Sequence, residues 1–388
     1  MIIRNALVFT IEDGFVKKDV AIRNGVFSEI ADKVLAREGE DAPDATEEVL
    51  DGQGCYLIPG LVDIHLHGAV GQDFSDGSMD GVKEILAYEL ENGITTVCPT
   101  TMTLSEEELH AACKNIRVCV EGGVEETEAK ICGIHLEGPF ISKEKKGAQN
   151  SVHIMNPDVK LLERLQEASG GNVKRITVAP ETEGAMEFIE KVSDTISVSL
   201  GHTACNYECA KEAFTKGAAM VTHLYNGMPD MGHRAPGVVG ATFDADDVMC
   251  ELICDGLHVH PAVVRATFRQ LGKERIVLIS DSIRGTGMPD GEYTLGGQPV
   301  TVKNKEAKLS DGTIAGSVCN LMDCVRSAVE MGISLETAVY CATYTPAEAI
   351  GVEEKYGSIA IGKCGDCVLL DSQDLSICKV IKEGTVVE

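Results

Sequence analysis

The sequence predicts a TIM-type (β/α)8 barrel with a small β-sandwich domain built from both chain ends. Three observations carry this. From Leu61 onward, eight short apolar runs alternate with amphipathic helical segments. Short strands and turns fill the first 57 residues and return after about residue 355. Ionisable residues stand at the C-terminal ends of six of the eight runs, where barrels of this kind build their sites. The expected division is 1–57 with 355–388 for the sandwich and 58–354 for the barrel. A doubly wound sheet is the competing architecture, and no glycine-rich dinucleotide or phosphate-binding loop supports it.

Composition narrows the function classes. An apolar content of 44% with 24% charged residues is that of a soluble globular protein. The formal net charge of -27 argues against nucleic acid and anionic membrane as partners. No run is long and apolar enough to span a bilayer, and Met1-Ile2-Ile3-Arg4-Asn5 does not begin a signal peptide. The 15 scattered cysteines read as reduced thiols, so the expected compartment is the cytoplasm. Cys364-Gly365-Asp366-Cys367 has metal-site spacing without a second pair, and reads as structural thiols in a strand.

Along the chain, Met1–Phe9, 19–22 and 25–30 read as strands, with Asn24-Gly25 a hairpin turn. Residues 31–48 read as a polar, acidic, exposed excursion, and 48–52 with 55–58 close the segment. The eight barrel runs are 61–67, 94–98, 131–136, 174–179, 196–201, 218–223, 249–254 and 276–280. Between them, Val82, Ile85, Leu86 and Leu90 share one helical face that Asn92-Gly93 ends. Ser105 with Glu108 makes a capping box. Asn156-Pro157 and His260-Pro261 place proline at a first helical position, and Asn206 caps a helix ending near Gly217. Helices near 317–331 and 335–350 come after the eighth run.

The first barrel run ends in His65-Leu66-His67. Strand side chains alternate faces, so the two imidazoles point the same way and make a metal mount. Other runs supply the remaining donors: Glu137 after the third, His202 after the fifth, His223 after the sixth and Asp281 after the eighth, while the seventh leads into Asp255-Gly256-Leu257-His258. Convergence of histidines and carboxylates on one rim points to a divalent metal site. A carboxylate such as Glu137 can bridge two ions. The assignment is one ion on His65, His67, Glu137 and Asp281, and a second on Glu137, His202 and His223. His135 shares the face of Glu137 and reads as a core or supporting residue.

Pro59-Gly60 through His67-Gly68, His135-Leu136-Glu137-Gly138-Pro139-Phe140, Leu200-Gly201-His202-Thr203, Thr222 through Met228, Arg234-Ala235-Pro236-Gly237, Asp255 through Val259 and Ser280-Asp281 occur in this order. On these motifs, spread over essentially the whole length, the chain resembles the amidohydrolase superfamily and, within it, the N-acetylglucosamine-6-phosphate deacetylases. The resemblance implies a metal-dependent barrel that hydrolyses the acetamide of N-acetyl-D-glucosamine 6-phosphate in amino-sugar catabolism. It implies that Glu137, His202 and His223 hold metal and that Asp281 is the catalytic aspartate. Asn226, the Gly227 backbone, Arg234 and His258 are then the residues that hold the sugar phosphate. It further implies a homodimer in which the arginine reaches across the interface. Single-metal members lack the two strand-one histidines, which this chain has. Where those members carry a carbonyl-polarising histidine, this chain has Gln149, which either contacts substrate or has no role.

The metal identity stays open among zinc, iron, manganese and cobalt, since all suit imidazole and carboxylate donors. Lys143, Lys145 and Lys146, after Glu137, read as solvated surface. Three rival readings remain. One is the galacto epimer of the substrate. Another is a cyclic amide hydrolase, in which a carboxylated lysine would stand where Glu137 does. The last is a barrel that binds without catalysis.

Overall fold

The computed structural model describes residues 1–35 and 47–387. Eight parallel strands form the barrel: β1 Leu61–Leu66, β2 Ile94–Thr101, β3 Ile134–Glu137, β4 Val173–Val178, β5 Ser197–Leu200, β6 Ala218–Val221, β7 Met249–Ile253 and β8 Ile276–Ile279. Each pairs with the next, from Val97 opposite Asp63 at the first junction to Ile253 opposite Ile279 at the last. All eight coincide with the apolar runs of the sequence.

Between β8 and β1, closure comes from the strand ends. The Asp281 N–H donates to His65 O at 2.9 Å, and the His67 N–H donates to Ser282 O at 2.8 Å. The buried Asp63 carboxylate accepts from the His65 and Ser280 N–H groups at 3.1 and 3.3 Å. Burial pushes this carboxyl up to about 7, against the pull of those donors. The same hydrogen bonds that close the barrel therefore fix the backbone of His65, His67 and Asp281.

The helices are α1 Met79–Glu91, α2 Glu106–Gly122, α3 Val159–Ala168, α4 Ala185–Val192, α5 Tyr207–Thr215, α6 Gly237–Phe243, α7 Pro261–Leu271, α8 Leu321–Glu330 and α9 Leu335–Ala349. In α1, Val82, Ile85, Leu86 and Leu90 are all buried, as their spacing requires. The Ser105–Glu108 capping box is formed at α2. Pro261 opens α7, and the Asn206 side chain caps α5. The helix after Asn156-Pro157 starts two residues later than expected, because the Asp158 carboxylate accepts from the Lys160 N–H and fixes the cap there. No helix among the described residues is long and apolar enough to cross a membrane.

Both chain ends form two further sheets around one core that includes Ile3, Val8, Phe27, Leu57, Leu369 and Ile381. One has the order Val26–Ala31, Asp19–Arg23, Ile2–Arg4, Val49–Asp51. The other runs Thr385–Val386, Ile377–Lys382, Cys367–Asp371, Cys55–Pro59, Leu7–Thr10, Gly14–Lys17. The single strand expected over Met1–Phe9 is two: Asn5, at φ 63°, turns the chain from one sheet into the other. Most of the excursion expected over 31–48 lies outside the described residues. Within them Asp32, Lys33 and Leu35 are exposed as expected, while Val34 is fully buried, its N–H held by Asp19 Oδ2 at 3.1 Å. All 15 cysteines are unpaired thiols.

The largest element without a counterpart in the sequence reading is a sheet beyond the barrel's last strand. Between β8 and α8 lies an antiparallel three-stranded sheet, Gly291–Leu295, Gln298–Lys303 and Glu306–Lys308. Its strands are short and alternate buried with exposed residues, a weaker signal than the barrel's continuous apolar runs. It leans over the barrel mouth, where the Gln298 amide donates to Ala148 O at 2.5 Å.

The α1 packing gives a direct check. Leu86→Ala is expected to lower unfolding free energy by about 2–5 kcal/mol in urea denaturation. Glu91→Ala, on the exposed face, is expected to change it by less than about 0.5 kcal/mol.

Candidate active site

Six side chains named from the sequence meet at the C-terminal mouth. His65 and Glu137 lie within β1 and β3, and His67 is the residue after β1. His202, His223 and Asp281 sit two residues past β5, β6 and β8. These three have φ of 44°, 30° and 50°, a region that non-glycine residues rarely occupy. Such backbone persists only where its surroundings over-determine it. Here they do: the His223 N–H donates to Glu251 Oε2 at 3.0 Å, the Thr203 N–H to Gly227 O at 3.0 Å, and Asp281 O accepts from the Ser317 N–H at 2.8 Å.

Glu137 is the hub. His223 Nε2 lies 3.0 Å and His202 Nε2 3.1 Å from its Oε1, with His65 Nε2 at 3.4 Å. His67 Nε2 lies 3.2 Å from Oε2. Asp281 Oδ1 is 3.4 Å from His67 Nε2 and 3.6 Å from His65 Nε2. All six residues are buried.

The other ring nitrogens decide what this cluster wants. His67 Nδ1 faces Thr100 O at 3.2 Å, His202 Nδ1 faces Lys145 O at 3.0 Å, and His223 Nδ1 faces Asn226 O at 3.0 Å. His65 Nδ1 faces Glu251 Oε2 at 2.9 Å. Carbonyls and carboxylates only accept, so each Nδ1 carries the hydrogen and each Nε2 turns a lone pair inward. His202 and His223 Nε2 then face each other at 3.1 Å beside a carboxylate oxygen. His65 Nε2 is buried with no hydrogen-bond partner. Lone pairs at this distance require positive charge among them, from protons or from metal. The donor set fits divalent ions in two groups, His65–His67–Asp281 and Glu137–His202–His223.

The electrostatics agree. Burial opposes ionisation of Glu137 and Asp281, but the facing imidazoles overcome it and hold both below the usual carboxylate range. Burial also opposes protonation of His67, yet Asp281 and Glu137 raise it to about 9.

A third group, His65–His135–Glu251, has donors equally close together. It is a poor cation site, because the buried Arg175 guanidinium already pairs with Glu251 Oε1. Both His135 nitrogens face threonine hydroxyls, Thr177 at 2.8 Å and Thr100 at 3.4 Å. Burial and Arg175 hold His135 neutral, well below the usual histidine range. It stacks edge-on against His65, in the supporting place expected of it.

A cavity of about 260 Å³ opens over the cluster. His258, Asn226 and Gly227 line it, and so do Gln149 and Met102. The His258 ring is held by Asp255 Oδ2 at 2.7 Å. Leu295, Thr313, Ile314 and Gly316, from the three-stranded sheet and its exit, form the remaining wall. Arg234 is exposed and is not brought to this cavity within one chain. The Gln149 amide is already engaged: Nε2 donates to Glu137 Oε2 at 2.6 Å and Oε1 accepts from the Thr103 N–H at 2.7 Å. It thus orients the hub carboxylate. The lysine loop is only partly free surface, since Lys143 is exposed but Lys145 O anchors His202.

Sequence reasoning named Asp255 only as part of the seventh run's motif, and it missed Glu251, Arg175 and the wall residues. Glu251 had a signal, a charge in the middle of an apolar run, whereas Arg175 sits beside the exposed Lys174 and stood out less.

Residues 56–387 match the amidohydrolase family. This chain belongs to the amidohydrolase family. Among curated amidohydrolases, N-acetylglucosamine-6-phosphate deacetylase of Lysinibacillus sphaericus is 35% identical over 100% of this chain and 97% of its own length. N-acetylgalactosamine-6-phosphate deacetylase of Escherichia coli O157:H7 is also 35% identical, over 88% of this chain and 90% of its own length. A mutant N-acetyl-D-glucosamine-6-phosphate deacetylase from Mycobacterium smegmatis, solved with N-acetyl-D-glucosamine-6-phosphate, superposes with a TM-score of 0.90 at 31% identity, covering 100% of this chain and 99% of that one. Amidohydrolases depend on metal, and the lone-pair geometry above is what that dependence requires.

Two measurements check the site. Loading Zn²⁺ into metal-free protein near pH 7 is expected to release protons, because ions and protons compete for the same Nε2 atoms. Apparent affinity should therefore fall as pH drops below about 9, the range in which His67 takes up its proton. Gly138→Ala should lower metal content: at φ 100° an added Cβ would lie 2.1 Å from Thr103 Oγ1, directly after Glu137. Gly122→Ala, with open space around it, should leave metal content unchanged.

Proposed function

We propose that this chain hydrolyses the acetamide of N-acetyl-D-glucosamine 6-phosphate, giving D-glucosamine 6-phosphate and acetate, in amino-sugar catabolism. The observation that carries the reading is the set of inward-facing imidazole lone pairs around Glu137, at the floor of a cavity with sugar-sized room. Relatives named for this reaction, matching over the full length, supply the substrate class.

Divalent ions would be held by His65, His67, Glu137 and Asp281 and by Glu137, His202 and His223, with zinc, iron, manganese and cobalt all suited to these donors. Bound there, they supply Lewis acidity, lowering the pKa of water and polarising the amide carbonyl. Asp281 lines the cavity beside His67, His202 and His223. It accepts a proton from the attacking water and returns it to the departing amine nitrogen, acting first as base and then as acid. Gln149 holds Glu137 in place, and Leu295 and Ile314 supply an apolar wall to the cavity.

His258, oriented by Asp255, stands with Asn226 and the Gly227 backbone to hold the sugar phosphate. Arg234 makes no hydrogen bond or ion pair among the described residues, which leaves it available to the phosphate of a second copy in a homodimer. Its guanidinium suits that anion bidentately, and a chain of net charge -27 needs such local donors. The expected compartment is the cytoplasm.

Acetate release from purified protein, with metal measured on the same sample, tests the reading. Turnover of the gluco 6-phosphate well above its galacto epimer and the unphosphorylated sugar supports it. Turnover of the galacto compound alone reassigns the substrate. Asp281→Asn should lower kcat by about 10²–10⁴-fold with the fold intact by circular dichroism. Arg234→Ala should raise KM for the phosphorylated sugar while leaving kcat near wild type, and unchanged kinetics would move the phosphate site elsewhere.

A further inference from the structure

We propose that Glu251, in the middle of β7, is a positioning residue that makes the His65–His67 half of the site able to hold an ion. The inference rests on the two-ion reading above. Four histidines turn an Nε2 lone pair into the cluster, but they are not held alike. His67, His202 and His223 give their Nδ1 hydrogens to backbone carbonyls. His65 alone gives its hydrogen to a carboxylate, Glu251 Oε2, at 2.9 Å. A carboxylate in that place fixes the tautomer and makes the far nitrogen a stronger donor.

The same oxygen accepts the backbone N–H of His223 at 3.0 Å. One buried atom thus sets a ring of the first ligand group and the strained backbone of the second. The other oxygen, Oε1, is taken by the Arg175 guanidinium, whose Nη2 donates to Ser199 Oγ at 2.9 Å. Arg175 and Glu251 are both fully buried. A buried ion pair is a poor device for stability alone, since well-packed apolar residues of similar volume do as well or better. Its position directly beneath His65 assigns it to the metal site.

Zn²⁺ binding to chelator-stripped protein tests the assignment, using Glu251→Gln and the charge-free double variant Arg175→Met/Glu251→Leu. The double variant leaves no unpaired guanidinium in the core, so it separates loss of positioning from loss of fold. Wild type is expected to hold two ions per chain by elemental analysis. In both variants one ion should remain and the other should weaken by at least about tenfold in chelator competition. Thermal unfolding of the double variant should stay near that of wild type. The downfield imidazole N–H resonance of His65 should be present in wild type and lost in both variants. A folded variant holding two ions with wild-type affinity would overturn the inference. A wild type that holds one ion would remove the two-ion reading beneath it, and the wild-type arm alone reports that.

Discussion

The arrangement depends on one carboxylate. Glu137 accepts the approach of four imidazole nitrogens at 3.0 to 3.4 Å, those of His223, His202 and His65 toward Oε1 and that of His67 toward Oε2. No such group is stable without positive charge at its centre, because each nitrogen facing inward has its other side committed to an acceptor. The protein has spent its local geometry on this. Gln149 pins the carboxylate, and three rim residues accept left-handed backbone to aim their side chains.

Below the rim lies a layer in which polar groups satisfy one another across the barrel. Glu251 joins His65 to Arg175, and Arg175 donates to Ser199. Ser199 bonds Thr222, Thr222 bonds Thr177, and Thr177 bonds His135. The chain continues through Thr100, which accepts from the Leu66 N–H of β1. Side chains of β1 to β7 therefore share one hydrogen-bonded layer. Although Arg175 Nε finds no hydrogen-bond partner in it, this network ties the strands together and gives the ligand shell an oriented support.

Much of this was legible in the sequence. The eight barrel runs were visible because strands buried on both faces read as continuous apolar stretches. The six metal-site candidates were visible because ionisable residues recur at the C-terminal ends of those runs. The three-stranded wall was hidden, since strands as short as Glu306–Lys308 give little periodicity. Glu251 and Arg175 were visible only as anomalies, because pairing across β4 and β7 depends on barrel closure. Gln149 could not be placed, since its partner Thr103 lies 46 residues away. Arg234 matches a motif, yet one chain alone does not bring it to the cavity.

The central proposal is that Glu137 would stand between two cation sites. The most direct measurement is a crystal structure of metal-loaded protein with anomalous scattering recorded at the metal edge. The account predicts two peaks, one on the His65–His67–Asp281 side of Glu137 and one on the His202–His223 side. A peak among His65, His135 and Glu251, or no peak touching Glu137, would contradict it.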